Sequence, residues 1–167
     1  QSEPKIKNNK SDKKLNKSII GLIEAKNLTI RYEGSKTNVL DGISLKIMPG
    51  ELVAIVGPVG CGKTTLAKAL GRTIDIPEDQ LFIDSFDIKK IDLQNLRKNL
   101  AIVPQEAFLF TSTISENLKF GDPTASINSV EISARKAGLS EDISNFPKRY
   151  NTVVGERGIT LSGGQRQ

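Results

Sequence analysis

Gly57-Pro58-Val59-Gly60-Cys61-Gly62-Lys63-Thr64-Thr65 is the stretch whose residue types and spacing could do chemistry together. Its glycines let the backbone curl until several N–H groups point at one centre. Lys63 adds a point charge that reaches β and γ phosphates. The Thr64 hydroxyl suits a Mg²⁺ ion whose other ligands are waters and phosphate oxygens. The spacing is that of the phosphate-binding loop G-x-x-x-x-G-K-[ST], and the chemistry it offers is capture of a nucleotide with its magnesium. Cys61, the single cysteine of the chain, lies inside the loop beside Lys63, where phosphate must also enter.

Such a loop must be held between a strand and a helix. The apolar run Glu51 to Val56 predicts a buried parallel strand. Thr64 to Leu70 predicts a helix, with Gly71 as its stop and its free N–H groups and dipole facing the loop. Upstream, Ile23-Glu24-Ala25 alternates in one phase and Leu28 to Tyr32 in the other, so a bulge is expected at Lys26-Asn27. Ile43, Leu45 and Ile47 form a further strand after a loop over residues 33–38. Downstream come a short strand at Leu81-Phe82-Ile83 and a helix capped by Asp92. A second buried strand is expected at Leu100 to Val103, then helices over Ser115–Leu118 and Ser126–Ala137, the latter ended by Gly138.

The 167 residues suit one domain of ordinary size, and no apolar run is long enough to span a membrane. One cysteine excludes an internal disulfide, and the absence of histidine excludes a histidine base or ligand from this stretch. Six lysines against two acids in residues 1–20 account for most of the net +5, so the remainder is near neutral and nucleic acid is not an expected partner. Residues 1–20 read as a basic flexible linker or tail, solvated or lying near an anionic membrane surface. The chain neither begins with Met nor runs on past Gln167, so a fragment is expected.

Leu161-Ser162-Gly163-Gly164-Gln165 offers a hydroxyl and exposed N–H groups before a helix, a second anion cradle. Alone it reads equally as a flexible loop. Taken with the phosphate loop, it resembles the ATP-binding cassette of ABC transporters, over Ile23 to Gln167. The first loop then matches the Walker A motif, and residues 161–165 match the signature motif without a mismatch. Gln105, in Val103-Pro104-Gln105, lies where the family's Q-loop glutamine does. Tyr32 matches the aromatic that stacks on adenine, worth roughly 1–3 kcal/mol; outside the resemblance it is an ordinary strand tyrosine. Phe108 to Asn117, and Val154-Gly155-Glu156-Arg157-Gly158, resemble the exporter branch.

The resemblance implies an α/β P-loop NTPase core with an antiparallel β subdomain and a helical subdomain, incomplete at its C-terminal side, over residues 21–167. It implies ATP and Mg²⁺ as cofactors. Tyr32, Gly57, Pro58, Val59, Gly60, Cys61, Gly62, Lys63, Thr64, Thr65 and Gln105 would bind nucleotide in one subunit. Ser162, Gly163, Gly164 and Gln165 would act on the partner's nucleotide. Thr64 and Gln105 would hold Mg²⁺, and Lys63, Gln105 and Ser162 would serve catalysis. The partners implied are a transmembrane domain and a second cassette paired head-to-tail, at the cytoplasmic face of a membrane. The activity implied is ATP hydrolysis coupled to export. The alternatives are a soluble ABC-type ATPase of DNA repair or translation, and a cassette that senses ATP without turnover. Two departures stand out. Cys61 replaces a common Ser, and Asp79-Gln80 replaces a common Gly, which is expected to reshape a turn. The stretch stops before the family's Walker B strand and catalytic Glu, so by itself it is expected to be inactive.

Overall fold

The computed structural model describes residues 6, 8, 19–105, 108–155 and 161–167. The chain divides into two units, Gln1–Ile102 and Val103–Gln167.

In the first unit, β1 (Ile23–Ile30) pairs antiparallel with β2 (Leu40–Ile47) and with β3 (Leu81–Ile83), and β3 pairs with β4 (Phe86–Asp87). The order is β2-β1-β3-β4. The expected slip in β1 is present: the register shifts between Ala25 and Leu28, Asn27 takes φ 52°, and its N–H donates to Ser44 Oγ at 2.9 Å. Both phases of β1 therefore put their apolar residues inside, Ala25 before the bulge and Leu28 and Ile30 after it. Helices α1 (Lys63–Leu70) and α2 (Leu93–Lys98) add Leu66, Ala69 and Leu96 to that core. Each buried Leu or Ile contributes about 1.5–3 kcal/mol. Asp92 caps α2 as expected, accepting from Asn95 N. The entry into β1 is pinned by Asp84, whose carboxylate accepts from the N–H groups of Ile20, Gly21 and Leu22 at 2.6–3.0 Å.

Two expectations need correction. Residues 51–56 and 100–103 form no strand, and no described residue pairs with them in a ladder. Leu52 and Val56 are exposed, as is Val103 at the start of the second unit. An apolar run records that a segment is suited to burial on both faces; it does not supply the neighbouring strands that would cover it. Also, β1 stops at Ile30, so Tyr32 stands beyond the strand.

In the second unit, β5 (Ser112–Thr113) pairs antiparallel with β6 (Val153–Val154). Around them pack α3 (Ile114–Leu118), α4 (Ile127–Lys136), α5 (Ser140–Asn145) and α6 (Gly163–Arg166). Ile114, Ala134, Ile143, Val154 and Leu161 form their core. Thr113 and Ser126 cap α3 and α4, and Gly138 follows α4 with φ 74°. No helix among the described residues is long and apolar enough to cross a membrane. Of the tail, residues 1–5, 7 and 9–18 lie outside the described residues, as do 106–107 and Glu156-Arg157-Gly158 of the second exporter-like stretch.

Candidate functional site

The phosphate loop leads directly into α1, as its sequence requires. Gly62 occupies the N-cap with φ 95°, and no side chain caps the helix. The first turn holds no acidic residue. Its N–H groups and the positive end of the helix dipole are thus left for an anion. A Cβ on Gly62 would lie 2.7 Å from Val39 O and 2.6 Å from Leu40 Cδ2, so the start of β2 fixes the loop where only glycine fits. A Cβ on Gly57 would lie 2.7 Å from Cys61 Sγ.

Lys63 folds back over the loop. Its Nζ donates to Gly57 O and to Pro58 O, each at 2.7 Å, and lies 3.7 Å from Cys61 Sγ. The ammonium therefore hangs above the loop's own carbonyls. Phosphate oxygens can exchange for those carbonyls, and a charge-assisted bond is stronger than a neutral one. Thr64 and Cys61 are exposed, while Thr65 is buried. Tyr32 reaches this helix: its Oη and Thr65 Oγ1 are 3.1 Å apart and hydrogen-bonded. The aromatic ring expected to carry a base is thereby tied to the residue that follows the expected magnesium ligand. Beside Tyr32 opens a cleft of about 830 Å³, lined also by Ile30, Arg31, Ser35 and Ile74.

The second unit presents Ser162 and the residues after it. Ser162 Oγ accepts from Gln165 N at 3.2 Å, and Gln165 Oε1 accepts from Ser162 N at 3.0 Å, a reciprocal capping box. Gln165 Nε2 donates to Asp142 Oδ1 at 2.8 Å. Gln165 thus holds the turn in place, and Asp142, distant in sequence and bearing no motif, is a supporting residue that sequence reading missed. Gly163 and Gly164 are exposed, and beyond their own helix and chain neighbours no described atom lies within 4 Å of where a Cβ would stand, so this side of the turn is open to approach. Gln105 belongs to this unit and is exposed. In the first exporter-like stretch, Asn117 clasps the backbone of Phe110 by two hydrogen bonds, at 2.9 and 3.0 Å. Phe110 in turn meets Phe108 edge-to-face and Phe120 at a tilt, with centroids 4.9 and 4.7 Å apart.

Thus Tyr32, the loop 57–65 and Lys63 come together in the first unit, and Ser162 to Gln165 in the second. No group of three or more His, Cys, Asp or Glu suited to a metal occurs among the described residues. The oxygen donors expected for Mg²⁺, the Thr64 hydroxyl and the Gln105 amide, are of the hard type that ion takes.

The family model described as ABC transporter matches residues 40–167. The putative multidrug export ATP-binding/permease protein YgaD of Bacillus subtilis is 42% identical over 149 residues, which cover 89% of this chain and 26% of that protein. The ATP-dependent lipid A-core flippase of Aromatoleum aromaticum is 39% identical over 150 residues, covering 89% of this chain and 25% of the flippase. The structure of a bacterial Atm1-family ABC exporter with ATP bound matches with a TM-score of 0.87 at 35% identity, over 96% of this chain and 28% of that one. The chain therefore spans about a quarter of the length of these relatives. It belongs to the ABC transporter family and carries that family's ATP-binding α/β P-loop NTPase fold, of the exporter kind.

Proposed function

We propose that this chain is the ATP-binding part of an exporter that couples ATP hydrolysis to transport across a membrane, at whose cytoplasmic face it works. The observation that carries the reading is the uncapped start of α1 with the Lys63 ammonium folded over the loop beside Tyr32. The printed names of the relatives, an export protein and a flippase, support the exporter part.

In this reading the N–H groups of residues 60–65 and Lys63 hold the β and γ phosphates, and Tyr32 carries the base. Phosphoryl transfer asks mainly for positioning and charge stabilisation, which these groups provide. Thr64 and Gln105 would hold Mg²⁺, which would supply positive charge against the phosphates. A second cassette lies head-to-tail, and its Ser162, Gly163 and Gly164 present a hydroxyl and open N–H groups to the γ-phosphate of this one's ATP. Closing of the pair moves the membrane domain.

Ser162→Asp in the full-length protein tests the composite site. Asp can still cap α6, but it sets a negative charge against a phosphate. ATP binding is expected to stay within about twofold of wild type, while hydrolysis falls by about a hundredfold, the scale of losing one transition-state donor. Loss of binding with hydrolysis would assign Ser162 to its own subunit's site, and unchanged hydrolysis would remove it from the reaction.

A further inference from the structure

We propose that Ile6 forms an apolar wall of the base-binding cleft, with Asn8 as the residue that holds it there. The inference rests on the reading that the base lies at Tyr32. Two separate observations carry it. Ile6 lines the same cleft of about 830 Å³ as Tyr32, Ile30 and Ile74. Asn8 then grips the first unit at the start of α2: its Nδ2 donates to Asp92 Oδ2 at 2.6 Å, and its Oδ1 accepts from Leu93 N at 2.8 Å. The two bonds use both ends of the amide and span more than eighty residues of sequence. They also leave Asp92 Oδ1 free to cap the helix through Asn95 N, so docking and capping coexist.

A purine has two apolar faces and a polar rim. One face can lie on Tyr32; burying more of it needs further apolar side chains, which Ile6 joins Ile30 and Ile74 in providing. By linkage, a base that binds better when the tail is docked must also hold the tail down. Inorganic tripolyphosphate, which has no base, should not sense the tail.

The test measures affinities of the full-length protein for ATP and for inorganic tripolyphosphate, each with magnesium, in wild type, Ile6→Asp, Asn8→Ala and Lys63→Ala. Ile6→Asp and Asn8→Ala should weaken ATP about five- to tenfold, as for loss of one to two buried methylenes, and leave tripolyphosphate unchanged. In wild type, ATP but not tripolyphosphate should slow tryptic cleavage after Lys5 and Lys7. Unchanged ATP affinity in both variants, or equal loss of both ligands, would overturn the inference, as would cleavage indifferent to ATP. Lys63→Ala should weaken both ligands; if it weakens neither, the phosphate loop reading itself falls and the tail inference falls with it.

Discussion

Gly62 shows how a single position can be forced from two sides. Its φ of 95° and its contact with Val39 O and Leu40 Cδ2 leave no room for a methyl group. Gly62→Ala is expected to cost about 1–3 kcal/mol, from left-handed strain and overpacking, read as a lowered melting temperature, and to weaken ATP binding as the loop shifts. A melt and an affinity equal to wild type would count against this role. The motif made the glycine legible in the sequence; its clash with β2 was not, because those residues lie more than twenty positions away. Cys61 is exposed within the same loop, 3.7 Å from the Lys63 ammonium. A maleimide should label it in nucleotide-free protein, and Mg-ATP should protect it, as followed by mass spectrometry of the Cys61 peptide. Equal labelling with and without saturating ATP would place the thiol outside the nucleotide's footprint.

At the scale of elements, local signals read well and pairings did not. The cap Asp92, the stop at Gly138 and the slip in β1 all follow from residue type and period, whereas Ser126, expected within α4, caps it instead. The runs 51–56 and 100–103 carry the apolar content of inner strands, yet strand pairing is a property of two segments and cannot be read from one. The Asp79-Gln80 turn has a physical account. Asp79 takes φ 56°, a conformation that favours glycine, and its carboxylate binds Lys90 Nζ at 2.8 Å. Gln80 Oε1 accepts from Thr29 N, fastening the turn to β1. Asp79→Gly should be close to neutral, whereas Asp79→Ala should lower the melting temperature, since alanine lacks both the freedom of glycine and the bond to Lys90. The Lys90 ammonium also holds the Asp79 carboxyl below the ordinary carboxylate value. A carboxyl whose pKa is lowered by folding stabilises the fold above its unfolded value and ceases to do so as pH falls through the folded one. The difference in melting temperature between wild type and Asp79→Asn should accordingly be present at neutral pH and close on acidification. A difference independent of pH would mean that the ion pair is not its source.

At the scale of the whole molecule, the two stretches expected to cradle anions lie on separate units of one chain, each built by its own local rules. Their helix starts were legible because short motifs encode them, and the expected chemistry depends on the backbone N–H groups there. Their supports, Asp142 under Gln165 and Thr65 under Tyr32, were not, because a hydrogen bond across the fold leaves no spacing to read. The central claim is that this chain binds ATP through the Lys63 loop. The most direct measurement is equilibrium binding of Mg-ATP to the full-length protein with Lys63 and with Lys63→Ala. Removing one charge-assisted contact worth about 1.5–3 kcal/mol predicts a loss of affinity of roughly ten- to a hundredfold in a protein that melts like wild type. Equal affinity in the two proteins would contradict the account.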